Sequence, residues 1–283
     1  AIPRSQCHWS AGLKNRDSWT ATKFSFDGVR LSANADSAWV AISSRLNVSL
    51  LAAGLQPLLA EHARGHLLDL GCGNAPLFAV YRNRVTEVTC IDWSNSGHQL
   101  RHIDVACDLN GPIPLEDRCV NTVLLTDVLE HIAEPVGLIR EIARVTAPGG
   151  CLIGSVPFTY RLHEEPYDYY RFTRHALLRL AKLAGLQVVV LEPYGQGMDV
   201  VFDSLGKVVV DAHWRWGPRM AAWMQCAGLK FRRTRLGMKI NRANGNMPLG
   251  YVFVMRRQSS NAGDASEVLQ HGEEAARSLN TAR

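Results

Sequence analysis

Apolar residues in this chain fall into two alternating kinds of segment. Short continuous runs at 67–70, 88–91, 121–126, 151–156 and 187–191 read as buried strands. A shorter strand is expected over 102–105. Between the runs, apolar positions recur every three or four residues, as on one face of a helix. Leu138, Ile139, Ile142 and Val145 predict a helix over 135–146 that ends at Pro148-Gly149-Gly150. Thr173 is placed to cap a helix whose inward face is Leu177, Leu178 and Leu180, closing at Gly185. A further helix is expected after Pro76. Upstream, Trp39, Val40, Ile42, Leu46, Leu50 and Leu51 predict a helix from Asp36 that Gly54 interrupts, with a second helix starting at Pro57 and ending near Gly65. This alternation predicts a mostly parallel sheet with helices on both faces. Residues 196–247 break the rhythm and read as helices inserted before a last strand at 251–255. Residues 1–35 are polar and read as an N-terminal arm or lid, 36–257 as the domain, and 258–283 as a flexible tail.

One stretch organises the chemistry. The first strand runs through Asp69 into Gly71-Cys72-Gly73, a glycine turn leading into a helix. In an open parallel sheet such a turn lies at the carboxyl end of the strand, where ligands bind. A dinucleotide fingerprint needs a third glycine for close helix packing. Pro76 stands there instead, which argues against NAD. Asp69 suits a cationic ligand better than a pyrophosphate. Asp92 ends the second strand, where it can accept hydrogen bonds from a ribose diol.

Asp69-Leu70-Gly71-Cys72-Gly73, followed by the acid-ended second strand, resembles the class I S-adenosylmethionine (SAM) methyltransferases. Cys107-Asp108-Leu109, 121–127, Leu129-Glu130-His131 and Ala147-Pro148-Gly149-Gly150 extend the likeness in order. The resemblance implies a Rossmann-like, mostly parallel seven-stranded sheet, with an antiparallel last strand between strands five and six. It also implies SAM as the methyl donor and S-adenosylhomocysteine as product. Asp69 is expected near the donor's amino-acid end, Gly71, Cys72 and Gly73 around it, and Asp92 on the ribose hydroxyls. Trp93 is expected beside the adenine, Asp108 and Leu109 on the adenine edge, and Asp127 facing the cleft. Asn121 stands where the family usually has an acid.

Composition narrows the setting. The chain has 283 residues and a net charge of +5. No apolar run is long enough for a membrane span, and the N-terminus has no signal-peptide core. The seven cysteines lack zinc or redox spacing. Together these predict buried free thiols and a cytoplasmic location. No Asp or Glu occurs between Asp211 and Asp264, while Arg215, Arg219, Lys230, Arg232, Arg233, Arg235, Lys239 and Arg242 crowd the same window. Trp214, Trp216 and Trp223 interleave with these charges. Two readings of this window stay open: an ordinary solvated face with core tryptophans, or a weak peripheral contact of 214–242 with anionic lipid at the inner membrane face.

The acceptor should enter past the fifth strand, where 157–172 is the densest polar and aromatic cluster. Tyr160, Tyr167, Tyr169, Tyr170 and Arg171 are candidate acceptor-binding residues. This segment resembles a subgroup of type 11-like methyltransferases of small molecules and glycans. His163 is the expected catalytic base, with Asp168 and then His131 as alternatives, and Asp168 with Arg171 reads equally as a structural ion pair. Asp127, Glu130, His131 and His163 also resemble the ligand set of metal-dependent small-RNA 2′-O-methyltransferases; the expectation assigns no metal. The leading expectation is O-methylation of a small molecule or sugar. RNA methylation through the basic window, and SAM binding without catalysis, stay open as alternatives.

Overall fold

The structure is a computed structural model that describes residues 12–94 and 100–259. Residues 1–11, 95–99 and the tail from 260 lie outside the described residues.

In chain order, a hairpin of β1 (Phe24–Phe26) and β2 (Leu31–Ala33) precedes α1 (Arg45–His62) and β3 (Gly65–Leu70). α2 (Phe78–Tyr81), β4 (Val85–Asp92), β5 (Val105–Ala106) and β6 (Val120–Thr126) follow. Next come α3 (Pro135–Val145), β7 (Thr146–Pro157), α4 (Arg174–Leu183) and β8 (Leu186–Gln196). Three inserted helices, α5 (Met198–Asp211), α6 (Gly217–Phe231) and α7 (Arg235–Ala243), lead to β9 (Pro248–Arg257). The main sheet has seven strands in the order β5-β4-β3-β6-β7-β9-β8. β9 runs antiparallel between β7 and β8, and the other described pairings are parallel.

Both faces of this sheet are buried, which is why its strands read as continuous apolar runs. Successive side chains point to opposite faces. Leu67, Leu124, Ile153, Val252 and Val254 join a core with α1 and the hairpin. Leu68, Val123, Leu125, Leu152, Phe253 and Met255 join a second core with α3 and α4.

Several boundaries differ from the sequence expectation. α1 is one continuous helix that starts at Arg45, with Gly54 and Pro57 inside it. Pro57 costs one intrahelical bond. Burial of Leu46, Leu50, Leu51, Leu55, Leu58 and Leu59 on both sides of it outweighs that cost. A Cβ on Gly54 would come within 3.2 Å of Val252, so glycine lets the helix lie close on β9. The helix after Pro76 is a single turn. Leu178 does not face inward; it is 40% exposed, and Leu177, Leu180 and Ala181 form the buried face of α4. The Thr173 cap is present, its Oγ1 accepting from Ala176 N at 3.1 Å. Asn121 holds the strand edge, its Oδ1 accepting from His66 N at 3.0 Å.

The described part of 1–35 is packed rather than free. Leu13, Phe24 and Leu31 are buried in the α1-side core. The Trp19 indole N–H donates to the Ala75 carbonyl at 3.0 Å, tying this segment to the glycine turn.

Candidate functional site

The turn after β3 sets the floor of the site. Gly71 has φ of 65°, and a Cβ there would lie 2.5 Å from Val128. Only glycine meets both demands without strain. Gly71 N donates to the Ile91 carbonyl at 2.8 Å, which binds the turn to the end of β4. The Asp92 carboxylate accepts from Gly73 N and from Trp93 N, each at 2.7 Å. Asp92 therefore braces the turn from the neighbouring strand end.

Asp69 is buried at the end of β3. Burial pushes its pKa up to about 7, with Tyr81 opposing through a hydroxyl bond of 3.2 Å and the Asp92 charge adding to the rise. A carboxyl so placed gains from a cation.

A cavity of about 390 Å³ opens beside this turn. Asp69, Gly71, Cys72 and Gly73 line one side; Asp127, Glu130, Tyr160, Arg161, His163 and Glu164 line another. Lys23 from the hairpin, with Trp39, Ser44, Asn47 and Tyr194, completes the wall. Trp93, Asp108 and Leu109 lie off this cavity. Asp108 is exposed and caps its own turn through Asn110 N at 2.9 Å, and Leu109 is buried in the second core.

Asp127 follows β6 in a left-handed conformation, with φ of 53°. Its carboxylate accepts from Lys23 Nζ and from Ser155 Oγ, each at 2.7 Å. Burial raises its pKa, but Lys23 and Ser155 outweigh that and hold it below the ordinary value. Lys23 had no signal in the sequence; it lies 104 positions upstream in a polar segment.

The loop after β7 folds back over Leu129–His131. Tyr169 N and Tyr170 N both donate to the Glu130 carbonyl, at 2.9 and 3.2 Å. The Tyr170 hydroxyl donates to the Ala133 carbonyl at 2.9 Å. Tyr167 packs edge-on to Trp93, ring centres 5.1 Å apart. Tyr167, Tyr169, Tyr170 and Arg171 thus brace the loop and do not line the cavity; of the five expected acceptor-binding residues, Tyr160 alone lines it.

His163 is the best-oriented imidazole. Its backbone N–H and Nδ1 both bond the Asp168 carboxylate, at 3.0 and 3.1 Å. Arg171 grips both Asp168 oxygens, at 2.6 and 2.8 Å. Asp168 is 1% exposed, and its bonds to Arg171 hold its pKa far below the carboxylate range. An ionised carboxylate only accepts, so Nδ1 of His163 carries the proton and Nε2 the lone pair. Asp168, so engaged, orients His163 and is not free as a base, which corrects its standing as second choice. Burial lowers the His163 pKa, with Asp168 opposing.

Glu130 is fully buried, and neither carboxylate oxygen has a hydrogen-bond partner. Burial, then the Asp127 charge, push its pKa well above the ordinary value. Nε2 of His163 and Nε2 of His131 each lie 3.8 Å from Glu130 Oε1. Nδ1 of His131 donates to the Tyr167 carbonyl at 3.0 Å. Ligand atoms of Glu130, His131 and His163 all fall within 4.8 Å of one another, a set that could hold a divalent transition ion.

Residues 68–154 match the family model described as a methyltransferase domain. A ubiquinone biosynthesis O-methyltransferase of Chromobacterium violaceum is 26% identical over 166 residues, covering 48% of this chain and 70% of that protein. Two solved structures align with part of the chain. An S-adenosylmethionine-dependent methyltransferase of Mesorhizobium loti aligns at TM-score 0.47 and 13% identity, over 75% of this chain and 100% of the other. A SAM-dependent methyltransferase of Aquifex aeolicus aligns at TM-score 0.39 and 18% identity, over 49% and 82%.

Proposed function

We propose that this class I S-adenosylmethionine-dependent methyltransferase methylates a hydroxyl oxygen of a small molecule or sugar, with His163 as the base that takes the hydroxyl proton. Support for oxygen as the acceptor atom comes from the related O-methyltransferase and from the imidazole beside the donor turn.

The donor fits the residues present. A buried carboxyl with a raised pKa, Asp69, matches the cationic amino-acid end. A Cβ on Gly71 would meet Val128, and Asp92, whose carboxylate accepts from Gly73 N, is the residue proposed to take the ribose hydroxyls. When bound, the donor supplies a methyl group on a sulfonium, already activated toward displacement.

What remains for the chain is alignment and proton removal. Asp168, clamped by Arg171, fixes the tautomer and the angle of His163. Nε2 then presents its lone pair to an acceptor hydroxyl in the cavity. The His163 pKa, lowered by burial, favours the neutral imidazole that a base requires. Tyr160 supplies an aromatic wall, its hydroxyl 3.4 Å from Ser44 Oγ. The carrying observation is the Arg171–Asp168–His163 chain of bonds on a histidine that lines the cavity. The test is His163→Ala, assayed for donor binding and for transfer to candidate hydroxyl acceptors. Intact binding with transfer at the wild-type rate would remove His163 from the mechanism.

A further inference from the structure

The helical insertion carries an uncovered aromatic face. Between the end of α5 and the start of α6 lie Trp214, Arg215 and Trp216, and Trp223 follows on α6. Trp214 is 54% exposed, Trp216 41% and Trp223 67%. The three rings, with Arg219 and Met220, line one shallow depression, so they share a face. The guanidinium groups of Arg215 and Arg219 lie over the Trp216 ring, 4.9 and 5.0 Å from its centre. Core tryptophans would be buried; these three are not, and packing does not account for them.

Charge identifies the occupant. No acid occurs from residue 212 to 263, so the chain that builds this depression supplies cations and no carboxylate of its own. Asp211, at the end of α5, is taken by Arg161, whose Nη1 bonds both carboxylate oxygens at 2.7 and 2.8 Å. Indole rings rest at the boundary between headgroups and acyl chains, and arginine pairs with lipid phosphates. A shallow aromatic face with unopposed arginines complements an anionic phospholipid surface.

The same helix is tied to the acceptor side of the cavity. Arg161 lines the cavity and Asp211 ends α5, three residues before Trp214. Lys207 of α5, paired with Asp203, holds its ammonium 4.3 Å from the centre of the Tyr160 ring. The loop that walls the cavity is thus pinned to α5, the helix that leads directly into Trp214 and Trp216.

We propose that the Trp214, Trp216 and Trp223 face docks on an anionic phospholipid bilayer and holds the acceptor cavity near its surface, where an amphiphilic hydroxyl compound can be presented. The docking stands without the transfer reading; the amphiphilic acceptor rests on it.

The test is co-sedimentation of the full chain with phosphatidylcholine vesicles, with and without phosphatidylglycerol, at low and raised salt. The mixed vesicles should bind the protein, less so at raised salt, and the neutral ones should not. Trp214→Ser combined with Trp223→Ser should weaken binding roughly tenfold or more. Arg215→Glu combined with Arg219→Glu should abolish it. SAM binding in each variant reports an intact fold. Equal sedimentation with both vesicles, none with either, or variants that bind like wild type would overturn the docking. So would a wild-type dimer that Trp223→Ser converts to monomer without any vesicle binding, because the face would then belong to a second copy. Vesicle binding is read without acceptor, so its failure leaves the proposed transfer standing. Failure to methylate any hydroxyl, soluble or lipid-borne, would remove the transfer reading and leave the docking in place.

Discussion

The two sides of the cavity are built in opposite ways. The donor side comes from one stretch, β3, its glycine turn and the end of β4, with contacts spanning about twenty positions, such as Gly73 to Asp92. The acceptor side gathers Lys23, Ser44, Asp127, Glu130, Tyr160, His163 and Tyr194 from five separate parts of the chain. The donor side solves one recurrent problem, holding a fixed ligand at a strand end. The acceptor side is set by packing between the segment before α1, the loops after β6 and β7, and the end of β8. Donor binding and acceptor chemistry should therefore be separable by mutation.

The largest expected separation is at His163. His163→Ala should keep SAM affinity within about twofold yet lower turnover by roughly 10²–10⁴-fold. In the wild type, turnover needs neutral imidazole, so it should fall as pH drops through the His163 pKa. Because burial depresses that pKa, the acid limb should lie below the ordinary histidine value of 6.5, with a flat rate above it. Asp168→Asn should shift this limb and lower turnover while leaving SAM binding unchanged. A profile that does not move would deny Asp168 its orienting role.

The reverse separation is expected at Asp92. Asp92→Ala removes the partner of Gly73 N and of Trp93 N, and should weaken SAM binding by roughly 1–3 kcal/mol. At saturating donor, its turnover should recover much of the wild-type rate. Calorimetry finding wild-type affinity would detach Asp92 from the donor site.

A smaller effect should appear at Asp69. Its pKa near 7 without ligand means the carboxyl is protonated below that value. If the donor's cationic end selects the ionised form, affinity should rise as pH climbs toward about 7 and level off above it, with proton release on binding. Asp69→Asn should abolish the slope. Equal heats in buffers of different ionisation enthalpy would show that no proton is released.

The smallest expected effect is that of chelation. With His163 acting as base, exhaustive removal of divalent ions should leave turnover unchanged. A loss restored by one metal would reassign Glu130, His131 and His163 as its ligands.

The pattern of apolar runs carried the strands of the sheet, because strands buried on both faces must be apolar throughout, and the antiparallel place of the last strand came from the family resemblance. The single α1 helix was not legible, because Gly54 and Pro57 are breakers locally and only close packing on β9 and the surrounding leucine burial reverse that preference. Among site residues, the glycine turn, Asp69, Asp92 and His163 were visible as types at meaningful positions. Tyr167, Tyr169 and Tyr170 looked like acceptor contacts, yet they brace the loop through backbone bonds that no residue pattern encodes.

By itself the sequence determined the fold class, the family resemblance and the donor turn, all of which depend on local spacing and on backbone conformations that few residues tolerate. Only the tertiary structure decided that Lys23 reaches Asp127, that Asp168 is spent on orienting His163, and that Glu130 is sealed without a partner. Those outcomes turn on which distant side chains burial brings within a few ångströms, and on the cost of leaving their charges unmatched there.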